Sequence, residues 1–226
     1  MRCRSREFTA CAAYNRASMS DTAVVRPVPR VAGILLAAGA GTRFGSGAYA
    51  SGGKLLHPLD GVPIAVRSAR NMQAAGLAVT AVVRPGSDEL ARLLQGEGVA
   101  VTDCANAADG MGVSLAHAIA QLKTAAGWVV ALADMPRIRP ATIQRIADAV
   151  RQGAVIAAPE YHGERGHPVG FSAALLNELL ACGGDEGARA VLRKHRAQLQ
   201  LITCDDPGVV YDIDSRADLT RGAADS

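Results

Sequence analysis

From Val31 onward, short apolar runs alternate with segments of helical period, and glycine- or proline-marked loops separate them. "VAGILLA" reads as a first strand, and "PIAVRSARNMQAAG" as a helix with Pro63 in its first turn and Gly76 at its end. "AVTAVVR" is the second strand. Ser87 is expected to cap the next helix, with Asp88 and Glu89 at the positive end of its dipole. "GVAVT", "SLAHAIAQLKTAAG", "WVVALAD", "PATIQRIADAV" and "AVIAAPE" continue the alternation. Near-continuous apolar strands between helices indicate an α/β fold whose parallel sheet is covered on both faces. Ligands of such sheets sit beyond the carboxyl ends of the strands.

After Glu160 the alternation breaks. "YHGERGHPVGFS" reads as a turn into an extended segment, and helices are expected around 173–181 and 186–195. "QLQLITC" and "VVYDIDS" read as short extended runs. No linker or repeat divides the chain, so one domain is expected over residues 31–219, with a tail at 220–226. Residues 1–30 read as a disordered leader or an over-extended start: "MRCRSREFTACAAYNRASMS" is Arg-rich and acid-poor, and Met19 opens a polar leader.

A net charge of +3 without a long basic run points to neither nucleic acid nor a membrane surface. Apolar runs such as "VAGILLAAGA" are too short to span a bilayer. The five cysteines are scattered, with no C-x-x-C pair and no zinc-ligand spacing, which reads as free thiols in a reducing cytoplasm. A cytoplasmic location is expected.

The first strand empties into "LLAAGAGTRFG", a loop almost without side chains that closes on Arg43. A tight strand-to-helix turn explains the glycines without any ligand. A dinucleotide fingerprint would need glycine where Phe44 stands and an acid where Arg84 stands, and a P-loop pattern is absent. There remains a loop whose backbone N–H groups can approach an anion closely, with Arg43 and Lys54 to neutralise it. A nucleoside triphosphate suits such a loop.

"LAAGAGTRFG…K", "LADMP", "RGHPV", "GDEGAR" and "DID" occur in the order seen in MobA-like nucleotidyltransferases, and most resemble the molybdenum cofactor cytidylyltransferases among them. The resemblance covers roughly Val31 to Leu219. It implies a Rossmann-like three-layer αβα sandwich with a mostly parallel sheet, and an enzyme that moves CMP from CTP to the phosphate of molybdopterin with Mg2+, releasing pyrophosphate. A client molybdoenzyme would be the eventual partner. Carried over residue by residue, it makes Leu36, Ala37, Ala38, Gly39, Gly41, Gly110 and Ser114 nucleotide-binding, and Arg43 and Lys54 catalytic cations on the β- and γ-phosphates.

Asp134, closing "WVVALAD", becomes a metal ligand, which agrees with magnesium's preference for one or two carboxylates; a turn cap is the plainer use of such a residue. Asp214 becomes the second ligand, with Asp212 the alternative, since extended backbone would put both on one face. Arg165 and His167 fall on the acceptor side. Asp185 and Glu186 are expected to cap a helix, which leaves Gly183–Arg189 outside the site.

Ten residues separate Arg43 from Lys54, more than the family usually has, which makes the place of Lys54 less secure. Rival readings are a related transferase using GTP, a sugar phosphate or methylerythritol phosphate, a non-catalytic protein that delivers a cofactor, and a dehydrogenase.

Overall fold

The computed structural model describes residues 30–39 and 53–221. Their eight-stranded sheet has the order β10-β7-β9-β6-β1-β4-β5, with β8 paired to β7. The central strands are β1 (Val31–Leu36), β4 (Val79–Val83) and β6 (Gly127–Leu132), flanked by β5 (Ala100–Asp103) on one side. On the other side lie β9 (Val169–Ser172), β7 (Ile156–Tyr161) and β10 (Leu199–Thr203), with β8 (Glu164–Arg165) as a hairpin arm. β1 runs parallel to β4 and β6, β4 to β5, and β7 to β10. β9 is antiparallel to both its neighbours, as β8 is to β7. The sheet is therefore mostly parallel, as expected. A separate two-stranded ribbon, β2 (Pro58–Leu59) with β3 (Val62–Pro63), follows the short helix α1 (Gly53–Leu56).

Strand residues alternate between two apolar layers. Val31 and Leu35 of β1 and Val129 and Ala131 of β6 join one core cluster. It includes residues of α2 (Ile64–Ala74), α3 (Asp88–Gly96) and α5 (Pro140–Arg151). Ile34, Leu36, Trp128 and Val130 face the other cluster, with α4 (Met111–Gln121) and α6 (Leu176–Leu180). Two packed faces on one sheet make the three-layer αβα sandwich. Among the described residues no helix is long and apolar enough to cross a membrane. Cys104, Cys182 and Cys204 are free thiols; Cys3 and Cys11 lie outside the described residues, as does the leader up to Pro29.

Three local expectations need correction. Ser87 holds the N-cap position of α3, but its side chain makes no capping hydrogen bond. Helix α7 spans Arg189–Lys194, so Asp185 and Glu186 precede it and cap nothing; Glu186 instead accepts from Arg193 at 2.7 Å. The segment "VVYDIDS" begins in a 3₁₀ turn over Pro207–Val210 and becomes extended only at Tyr211.

The cause of that turn is Asp206, which is almost fully buried. Its Oδ1 accepts from the Gly208 N–H at 3.1 Å, while Oδ2 accepts from the Arg139 N–H at 2.9 Å and the Thr142 hydroxyl at 2.7 Å. One carboxylate thus closes a turn and caps α5 from a distant loop. Asp206→Ala is expected to destabilise the chain by about 3 kcal/mol, since it orphans three donors, two of them bound at a helix start. The shift in urea midpoint measures it.

Candidate functional site

β1 and β6 end side by side, with Leu36 opposite Leu132. Ala37 to Gly39 leave β1 at the same edge where Ala133 and Asp134 leave β6. The Ala133 N–H donates to the Leu36 carbonyl at 3.1 Å and the Ala37 N–H to Val82 at 2.9 Å, which holds both exits in line. Leu36, Ala37 and Ala38 are buried and Gly39 is exposed. Gly41 and Arg43 lie outside the described residues.

Opposite this edge the chain returns from its far end. Ile213 is fully buried and its N–H donates to the Asp134 carbonyl at 2.9 Å. Extended backbone around Ile213 turns Asp212 and Asp214 to the other side. Asp218 steadies them: its Oδ2 accepts from the Asp214 N–H at 3.2 Å, the Ser215 N–H at 2.7 Å and the Ser215 hydroxyl at 2.8 Å. α8 (Asp218–Arg221) is tied down in turn, with the Arg137 Nη2 donating to Leu219 at 3.0 Å and its guanidinium 5.2 Å from the Tyr211 ring centre.

Lys54, on α1, reaches into the space between. Its Nζ donates to Asp134 Oδ2 at 2.8 Å and Asp214 Oδ1 at 2.9 Å. Burial alone would lower the ammonium pKa; the attraction and hydrogen bonds of Asp134 and Asp214 outweigh it and hold it above the ordinary lysine value. Burial likewise raises Asp212, helped by the neighbouring Asp214 charge.

Asp134, Asp212 and Asp214 each offer an oxygen within 4.8 Å of the others. Asp134 Oδ1 is buried and has no hydrogen-bond partner among the described residues. An all-oxygen set with an orphaned carboxylate oxygen fits a hard divalent cation such as Mg2+ or Mn2+, and lacks the nitrogen or sulfur that zinc sites favour.

The remaining candidates lie at the start of α4 and on or just after β8. Gly110 and Ser114 open α4, Ser114 buried, Gly110 at φ +119°. The Gly112 N–H donates to the Gly184 carbonyl at 2.8 Å, and a Cβ on Gly112 would lie 2.5 Å from the Gly183 oxygen. The 183–187 loop, excluded on sequence grounds, is thus pressed against the α4 start.

Arg165 is exposed on β8. His167 is half-buried, with Nδ1 unpartnered among the described residues. Burial, with the charge of Arg165, pushes its imidazole down to about 4, against the pull of Asp134. The ring is neutral at physiological pH. Between its ordinary value of 6.5 and about 4, the unfolded chain takes up a proton here that the folded chain refuses. Acidification through that window therefore lowers stability. His167→Gln is expected to flatten this part of the pH dependence, read as urea midpoints across the same window.

The MobA-like NTP transferase domain matches residues 33–199. The chain belongs to the MobA-like NTP transferase family. This transferase is 29% identical over 211 residues to nicotine blue oxidoreductase of Paenarthrobacter nicotinovorans, covering 90% of this chain and 99% of that protein. It is 33% identical over 127 residues to the bifunctional protein GlmU of Burkholderia lata, covering 53% of the transferase but only 26% of GlmU. Rv0371c of Mycobacterium tuberculosis superposes with a TM-score of 0.70 at 26% identity, over 85% of this chain and 97% of that one. Its complex with manganese superposes at 0.68. The fold and family place this chain among the nucleotidyltransferases.

Proposed function

We propose that this transferase moves CMP from CTP to the phosphate of molybdopterin, with Mg2+, and releases pyrophosphate. The convergence of Lys54, Asp134 and Asp214 beside the Ala38–Gly39 exit of β1 carries the reading. The manganese complex of Rv0371c supports a divalent ion at the acidic cluster. Asp134 and Asp214 would hold it, with Asp212 in reserve.

An acceptor phosphate oxygen attacks the α-phosphorus in line, and the bond to the bridging oxygen of pyrophosphate breaks. The acceptor is already an anion, so positioning and charge stabilisation supply most of the catalysis. Bound at the cluster, Mg2+ supplies Lewis-acid stabilisation of the phosphate oxygens. Leu36, Ala37, Ala38, Gly39, Gly41, Gly110 and Ser114 bind the nucleotide. Arg43 and Lys54 bind the β- and γ-phosphates and neutralise the departing pyrophosphate. Arg165 and a neutral His167 receive the pterin phosphate, and a client molybdoenzyme takes the product. Ala38, where the guanylyl branch of the family more often has glycine, narrows the space beside the base and favours cytosine. A cytoplasmic location goes with this chemistry.

The test is pyrophosphate release from CTP, GTP, UTP and ATP with Mg2+ and molybdopterin, beside sugar phosphates and methylerythritol phosphate as acceptors. Release with CTP and molybdopterin alone is the expected result. Release only with another pair reassigns the substrates. Triphosphate binding without release makes the chain a delivery protein. The relative named an oxidoreductase adds one arm, in which nicotinamide oxidation without triphosphate binding overturns the proposal.

A further inference from the structure

We propose that Arg84 selects the base of the bound triphosphate, admitting cytosine and guanine and turning away adenine and uracil. The inference rests on the transferase reading above. Arg84 directly follows β4, the neighbour of β1, at the sheet edge where the proposed function puts the nucleotide. It is half-buried, and its Nε and Nη2 both donate to the Ala38 carbonyl, at 3.1 and 2.8 Å. That fork locks the guanidinium plane against the residue beside the base.

A guanidinium carries five N–H donors. Two are spent on Ala38, and the others have no partner among the described residues. The buried Cys104, Ala107 and Leu115 belong to the same apolar cluster as Ala38. The region therefore combines an apolar floor with a single fixed fork of donors.

Such a fork recognises a ring edge with two adjacent acceptors. Cytosine offers O2 and N3, and guanine offers O6 and N7. Adenine has no adjacent acceptor pair on its edges, because its amino group adjoins both N1 and N7. Uracil places an N–H between its carbonyls. The Ala38 carbonyl gives adenine no relief, since Arg84 already engages it twice. The narrowing by the Ala38 methyl then favours the smaller of the two admitted bases.

The experiment is calorimetric binding of CTP, GTP, UTP and ATP, each with Mg2+, to the parent chain and to Arg84→Lys and Arg84→Gln, with thermal melts as a fold check. The parent is expected to bind CTP and GTP at least roughly tenfold more tightly than ATP and UTP, the discrimination of one good bidentate pair. Both variants should lose that gap. Lysine keeps the charge without the planar fork, so it separates geometry from net electrostatics. Uniform weakening with the gap intact would make Arg84 only a prop for Ala38 and overturn the inference. Equal parent affinity for all four bases would overturn it while leaving the transferase reading in place. A parent that binds none of them removes both.

Discussion

Asp134→Asn is expected to lower turnover by roughly a thousand-fold, the scale of the several kcal/mol that a bound cation contributes to stabilising charge in a transition state. The substitution keeps the side chain's shape, so the Ile213 N–H bond to the residue 134 carbonyl is retained. It removes one of the two carboxylates on Lys54 and one of the three in the acidic cluster proposed to hold the divalent ion. Triphosphate binding should survive in part, because the glycine loop and Arg43 are proposed to bind the phosphates as well. Pyrophosphate release and Mn2+ binding, measured side by side, check the assignment. Parent-like values for both would remove Asp134 from the metal site.

Gly110→Ala should lower stability by about 4 kcal/mol, combining overpacking against rigid backbone with a backbone conformation that L residues avoid. A Cβ at this position would overlap the Gly184 carbonyl group, and φ is +119°. Flexible side chains can move aside; here the obstacle is another loop's main chain. Relief requires the α4 start and the 183–187 loop to separate, which would also move the proposed nucleotide-binding residues Gly110 and Ser114 even in molecules that remain folded. A reduced melting temperature together with weakened triphosphate binding is the expected pair. A melting temperature within a degree of the parent would show that the loops yield freely.

The central strands and their helices were legible because apolar alternation directly reports two-sided burial, and Asp134 was legible because it ends such a run. Local chemistry misled where a distant group decided the outcome. Asp185 and Glu186 look like a helix start, yet the chain turns past Gly187 before α7 begins. "VVYDIDS" looks extended, yet Asp206 draws Gly208 into a turn while serving α5. Arg84 signalled only the lack of a ribose-binding acid; its grip on Ala38 depends on β1 and β4 being neighbours. The contact of Gly112 with Gly184 is likewise tertiary, with no trace in the local pattern. Arg43, Gly41 and the long insertion before Lys54 fall outside the described residues.

Lys54 and Asp214 stand 160 positions apart in the chain yet meet at 2.9 Å. During synthesis the lysine and the glycine loop emerge early, Asp134 midway, and the second carboxylate near the end. The acidic cluster is therefore complete only after nearly the whole chain has been made. A product halted before Tyr211 lacks the buried Ile213 together with Asp212 and Asp214, so it loses core packing and two of the three clustered carboxylates at once.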